Sequence, residues 1–186
     1  LMPVALCSAA KSGQSCQCPN IQDIIMNDSD FDKFRDPFPF LTNRSHLYLV
    51  PLKDQFRGIE CVISEFKEEY GDNRRVDRTV SWKESASSNR KSKEVAMFMM
   101  DVPFGRSPRS NFTTLAFKKI GIVFETVYTD GKCLIFRTID ENDGKRTDCF
   151  FWVKENFLGS PLRHCHFILE LYCEKGSGVE SPKKCQ

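Results

Sequence analysis

Between residues 46 and 154 the chain repeats one pattern: a short run rich in Phe, Val, Ile, Tyr and Thr, then a polar break. The runs are His46–Leu52, Gly58–Phe66, Arg75–Lys83, Glu94–Val102, Phe112–Lys118, Ile120–Thr129, Lys132–Thr138 and Asp148–Lys154. β-branched and aromatic enrichment over runs of this length predicts strands. The breaks GDN, SASSNRKS, VPFGRSPRSN, TDGK and ENDGK are turn-like. TDGK predicts a tight hairpin, because Asp-Gly readily takes the positive-φ turn that matches strand twist. KKIG leaves the boundary between the fifth and sixth runs unset. Eight short strands joined this way predict a mainly β fold, an up-and-down antiparallel barrel or a sandwich. An eight-stranded barrel has room for side chains or for one small ligand.

The period changes at both ends of this block. Over residues 19–38, Ile21, Ile24 and Ile25 fall at helical spacing, with Phe31 and Phe34 as a second pair. Pro37 and Pro39 are expected to end that region. After the last strand, Leu162, Cys165, Ile168, Leu169 and Tyr172 form one face of a helix. Ser160 is placed to cap it, Pro161 to open it and Gly176 to close it. A helix in that position has to pack outside a barrel. No repeat or linker divides the chain, so residues 11–186 read as one domain.

Charge and cysteine content narrow the setting. With 27 basic and 25 acidic residues the net charge is +2, which supports neither a nucleic-acid nor a membrane-surface partner. No apolar run reaches the roughly 18 residues of a membrane helix. Nine cysteines point to a disulfide framework if the chain is extracellular. Residues 1–10, LMPVALCSAA, resemble the tail of a secretory signal peptide. Cleavage after Ala9 or Ala10 removes Cys7 and leaves an even count, as bridges require. Sequons at Asn27, Asn43 and Asn111 agree with a secreted glycoprotein.

Catalytic chemistry has little support. The three histidines are His46, His164 and His166. The last two flank Cys165 on a helix and point to different sides, so they cannot share a metal with it. CQC at 16–18 is one residue short of a redox CxxC. No zinc, nucleophile-elbow, P-loop or dinucleotide motif is present. The expectation is a protein that is not an enzyme and has no catalytic residue, metal or cofactor.

Four segments then carry a family resemblance: LYLV (47–50) after an N-terminal helix, IECVISEF (59–66), VYTDGKCLIFR (127–137), and DCFFWV (148–153) followed by CHFILELYC. Together they resemble the tick salivary lipocalins, most specifically in the final third. The usual lipocalin Gly-x-Trp is absent, as is frequent in that branch. The resemblance implies an eight-stranded lipocalin barrel with a short N-terminal helix and a C-terminal helix packed outside. It implies secretion into the bite site, and binding of small host mediators (amines, eicosanoids, other lipids) or inhibition of complement. It also implies disulfides Cys61–Cys185, Cys133–Cys165 and Cys149–Cys173, and leaves Cys16 and Cys18 unassigned.

These implied bridges orient the strands. If Cys133 and Cys149 join an outer helix, alternation turns Leu134, Phe136, Phe150 and Trp152 into the lumen, with Phe151 and Val153 beneath the helix. From Cys61, the same count turns Val62, Ser64 and Phe66 inward, provided no bulge intervenes. Trp82, Phe98, Met100 and Phe124 are further lumenal candidates without an anchor for their orientation. Relatives that bind amines carry Asp and Glu where this chain has Leu134 and Phe150. An ammonium buried without a carboxylate costs several kcal/mol, more than cation–π contact with Trp152 returns. An amine site would need other acids, such as Glu60 or Asp101.

The expected ligand is therefore an apolar or amphipathic host mediator (a fatty acid, eicosanoid or sterol), with Arg78 and Arg137 as candidate partners for a carboxylate, although strict alternation puts Arg137 outside. The alternatives are a histamine or serotonin scavenger, and a complement inhibitor that meets a host plasma protein through the mouth loops 85–93 and 103–111.

Overall fold

The computed structural model describes residues 20–52, 55, 58–85, 89–100 and 111–173. The N-terminal segment forms α1 (Ile21–Asn27), a 3-10 helix (Ser29–Phe34) and a single turn, α2 (Phe38–Leu41). Asn20 and Asp28 cap the first two through their side chains. The helical region ends at Phe34, just before the prolines, as expected, and the prolines also start a further turn. Pro37 is the N-cap of α2 and Pro39 lies in its first turn, where a missing N–H costs nothing.

Eight antiparallel strands follow. They are β1 (Leu47–Val50), β2 (Ile59–Tyr70), β3 (Arg75–Glu84), β4 (Arg90–Met100), β5 (Asn111–Thr114), β6 (Ile122–Thr129), β7 (Cys133–Asp140) and β8 (Arg146–Lys154). Each pairs with its neighbours in order, and β8 pairs with β1, so the barrel is closed. The fifth run is mostly not strand. After Thr114 the chain makes a helical turn, α3 (Leu115–Lys118), with the Thr114 hydroxyl accepting from Phe117 N–H. Gly121 then reverses it at φ +68°, a conformation that favours glycine.

Up-and-down connections alternate between the two ends. α2 covers the end where β1 begins, and there Phe40 and Leu41 are buried. The other end, carrying the β1–β2, β3–β4, β5–β6 and β7–β8 connections, is the mouth. The loops 85–93 and 103–111 were both expected at the mouth. They hang on the β3–β4 and β4–β5 strand ends, which lie at opposite ends of the barrel. Residues 86–88 and 101–110 themselves fall outside the described residues.

The C-terminal helix α4 (Arg163–Tyr172) packs on the outer wall as expected. Leu162 is its N-cap without a side-chain bond, so Ser160 does not serve as the cap. Leu162, Cys165, Ile168 and Leu169 bury against Val50, Ile135, Phe151 and Val153. The N-terminal elements join this layer. Phe34 stacks on Tyr128 at 5.6 Å, and the Tyr172 hydroxyl donates to the Gln22 carbonyl at 2.9 Å. Two disulfides fix α4 to the wall, Cys133–Cys165 and Cys149–Cys173. Cys61 is also disulfide-bonded. Cys185 and the segment carrying Cys7, Cys16, Cys18 and the signal-like residues lie outside the described residues. No helix among the described residues is long and apolar enough to cross a membrane.

The base of the barrel is closed by one buried guanidinium. Arg78 Nε donates to Ser64 Oγ at 2.8 Å, Nη1 to the carbonyls of Leu41 and Asn43, and Nη2 to those of Ser45 and Ser64. Burial lowers its pKa to about 10, so it stays charged at neutral pH. Arg78→Met should lower unfolding stability by about 3 kcal/mol or more, because several buried carbonyls lose their donor. Arg78→Lys should recover only part of it. A urea midpoint for Arg78→Met equal to that of the wild type would refute the clamp. Replacing Cys149 and Cys173 together by Ala should cost about 3–4 kcal/mol in the same assay, through the freed loop in the unfolded chain.

Candidate functional site

Alternation along β7 and β8 splits their side chains between two layers. Cys133, Ile135, Cys149, Phe151 and Val153 belong to the outer layer under α4. Leu134, Phe136, Phe150 and Trp152 belong to the inner one. The cysteines set this division, since each must reach a helix that is outside the barrel. Phe151 lies beneath that helix, edge-on to the His166 ring at 5.5 Å.

The inner layer is aromatic. Phe112 packs on Phe124 at 5.1 Å, Phe124 on Phe136 at 5.3 Å, and Phe136 stacks on Phe150 at 4.9 Å with the rings 14° apart. Phe124, Leu134 and Phe136 are buried, whereas Phe66, Phe150 and Trp152 are half-buried although they pack against the same cluster. These three are inward side chains of β2 and β8 that keep some exposed surface. On β2, a bulge falls between Glu60 and Ile63, with Cys61 at φ +56°. Cys61 Sγ sits 3.2 Å from Arg90, whose guanidinium also donates to Ser81 Oγ. The bulge therefore displaces the residues before Cys61. Val62 lies within the bulge and is half-buried, and beyond it Ser64 and Phe66 share the inner face.

Trp82 falls on the inner face of β3 with Val76 and Arg78, but far along it, opposite Lys91 near the mouth. Phe98 is not in the lumen. It opposes Arg75, whose guanidinium covers its ring at 5.5 Å on the outer face. Met100 shares that face, opposite Asn111. Met97 and Met99 take the inward positions on β4. With no cysteine on β3 or β4 to set the count, the sequence alone could not orient them.

Neither expected arginine waits for a ligand. All of the Arg78 donors described above are in use at the closed end, away from the mouth. Arg137 is on the outer wall, 2.5 Å from Glu125. Burial would raise the Glu125 pKa, but Arg137 and Arg146 outweigh it and hold the carboxylate below its usual range.

Three lumenal features escaped the sequence reading. Lys154, two residues beyond Trp152 on the inner face of β8, is 8% exposed. Its ammonium lies 5.2 Å from the Phe40 ring at the base and has no hydrogen-bond or ion-pair partner among the described residues. Burial lowers its pKa, opposed by Asp130 and reinforced by Arg78. Thr126, opposite Phe136, carries a buried hydroxyl without a partner among the described residues. Phe117 of α3 folds across the mouth, edge-on to Phe124 at 5.0 Å. None of the buried described residues is an Asp or Glu. Glu60 pairs with Lys83 on the outer face, and Asp101 lies outside the described residues.

The arrangement suits a bound small molecule better than a metal. Asp130, Cys133 and Cys165 come within 4.8 Å of one another, but the two sulfurs are bonded to each other and offer no thiolate. Of the sequon residues, Asn43 uses its side chain to accept from Ser45 N–H. His46 is flanked by Glu65 and Glu155 on the surface.

Solved structures share this architecture. Japanin from Rhipicephalus appendiculatus bound to cholesterol aligns with a TM-score of 0.54 at 14% identity, over 77% of this chain and 96% of that one. The siderocalin Ex-FABP aligns with a TM-score of 0.47 at 10% identity, over 77% and 91%. No curated protein sequence matches the chain. The family model described as tick histamine binding protein matches residues 40–182, a span that takes in all eight strands and α4, and the chain belongs to that family of lipocalins.

Proposed function

We propose that the protein is a secreted carrier that sequesters an apolar or amphipathic host mediator in the barrel lumen and so dampens host inflammation or haemostasis. The observation that carries this reading is the chemistry of the lumen. Phe150 and Leu134 line it where amine-binding relatives are expected to carry acids. Its buried charges are Arg78 and Lys154, with no buried carboxylate among the described residues.

That interior opposes an amine. A ligand ammonium would enter without a counter-charge, and two resident cations would repel it. Apolar walls with a few convergent polar groups are the usual make-up of a small-molecule pocket, and the aromatic stack offers such walls. Japanin, a barrel of the same fold, is bound to cholesterol, which agrees with an apolar guest.

Native mass spectrometry of the secreted protein, with extraction of what it carries, tests the proposal. A reproducible co-purifying lipid, exchangeable for added fatty acid or sterol, is the expected result. Calorimetry with histamine should show no saturable heat at micromolar protein. Nanomolar histamine binding would overturn the reading.

A further inference from the structure

We propose that Lys154 binds the anionic headgroup of an amphipathic ligand at the base of the barrel, so that the ligand lies head-inward with its apolar chain along Trp152 and Phe150 toward the mouth. This rests on the lumenal-carrier reading above and specifies the ligand class as a carboxylate-bearing lipid.

The base contains two buried cations with opposite bonding states. Arg78 donates five hydrogen bonds to Ser64 and to backbone carbonyls. A guanidinium has five N–H groups, so none remains for a ligand. Lys154 has three donors and its side chain is more than nine-tenths buried, while its ammonium keeps accessible surface, lies over the face of Phe40 and has no hydrogen-bond or ion-pair partner among the described residues. An ammonium on a largely buried stem in an apolar setting is normally paired with an anion. Asp130 acts on it from beyond ion-pair distance, and its carboxylate already accepts the N–H groups of Lys132 and Cys133. The neighbouring Arg78 adds positive potential and no competing acceptor. The vacant coordination of Lys154 therefore fits an external carboxylate.

Position supplies the second half of the inference. Phe150, Trp152 and Lys154 share one strand face, and the Lys154 backbone lies about 13 Å from that of Phe150 along β8. Trp152 and Phe150 are the half-buried inward side chains of that strand. A chain leaving Lys154 would lie on them and finish beneath Phe117, which stands edge-on to Phe124 at the mouth. Phe40 holds the ammonium in the lumen before a ligand arrives. A cation on an aromatic face is favourable but weaker than a charge-assisted hydrogen bond.

The experiment compares dodecanoic acid with dodecanol, which share a chain and differ in the headgroup, by calorimetry on the intact protein. The wild type should bind the acid about ten- to a hundredfold more tightly than the alcohol, as expected for a charged hydrogen-bonded headgroup. Lys154→Met should abolish that preference while leaving dodecanol affinity within about twofold, and Lys154→Arg should keep most of it. The wild-type comparison requires no variant, so it stands even if Lys154→Met folds poorly. Equal binding of acid and alcohol by the wild type would overturn the anchor and leave the carrier intact. Binding of neither would overturn the anchor, and with no sterol bound either it would overturn the carrier as well. A preference that survives in a folded Lys154→Met would place the headgroup elsewhere and refute the assignment.

Discussion

Closure of the barrel base depends on a buried arginine whose donors are all used. Arg78 ties β3 to β2 through Ser64 and to the segment leading out of α2 through the carbonyls of Leu41, Asn43 and Ser45. Buried carbonyls must find donors, and those of an irregular segment have no strand partner to supply them. One planar, multiply donating cation meets that need where a lysine, with its point charge, could not. Because those bonds hold α2 in place, Phe40 can plug the lumen and offer its face to Lys154.

The second constraint is covalent. Two bridges draw α4 against the wall, and they do so from β7 and β8, whose other faces form the aromatic lumen. The same strands therefore serve two apolar layers. Burial on both faces explains why DCFFWV and CLIFR lack the clean polar alternation of a strand with one face in water.

The cysteines also decided how much of this was legible in the sequence. Where a cysteine fixed the outward side, as on β7 and β8, counting residues oriented Leu134, Phe136, Phe150 and Trp152. Beyond Cys61 it did the same for Ser64 and Phe66. Where none was present, as on β4, Phe98 was expected inside and lies outside. Lys154 was within reach of the same count, two positions past Trp152, but a lysine at a strand end ordinarily reads as solvated. The turn at α3 was hidden because Leu115 and Phe117 suit a strand as well as a helix. Only Gly121, in KKIG, marked where the chain turns. Arg78 offered no local signal, since its acceptors come from segments remote in sequence.

Phe150 and Phe151 are chemically identical neighbours that answer to different demands. Phe151 is held by α4 and the staples, and a change there disturbs the scaffold. Phe150 faces the lumen, and a change there alters what the barrel can hold while the scaffold is secured from the opposite side. This separation gives the fold a route to new cargo through single substitutions at alternate positions. A lineage can then vary its ligand chemistry while keeping one architecture.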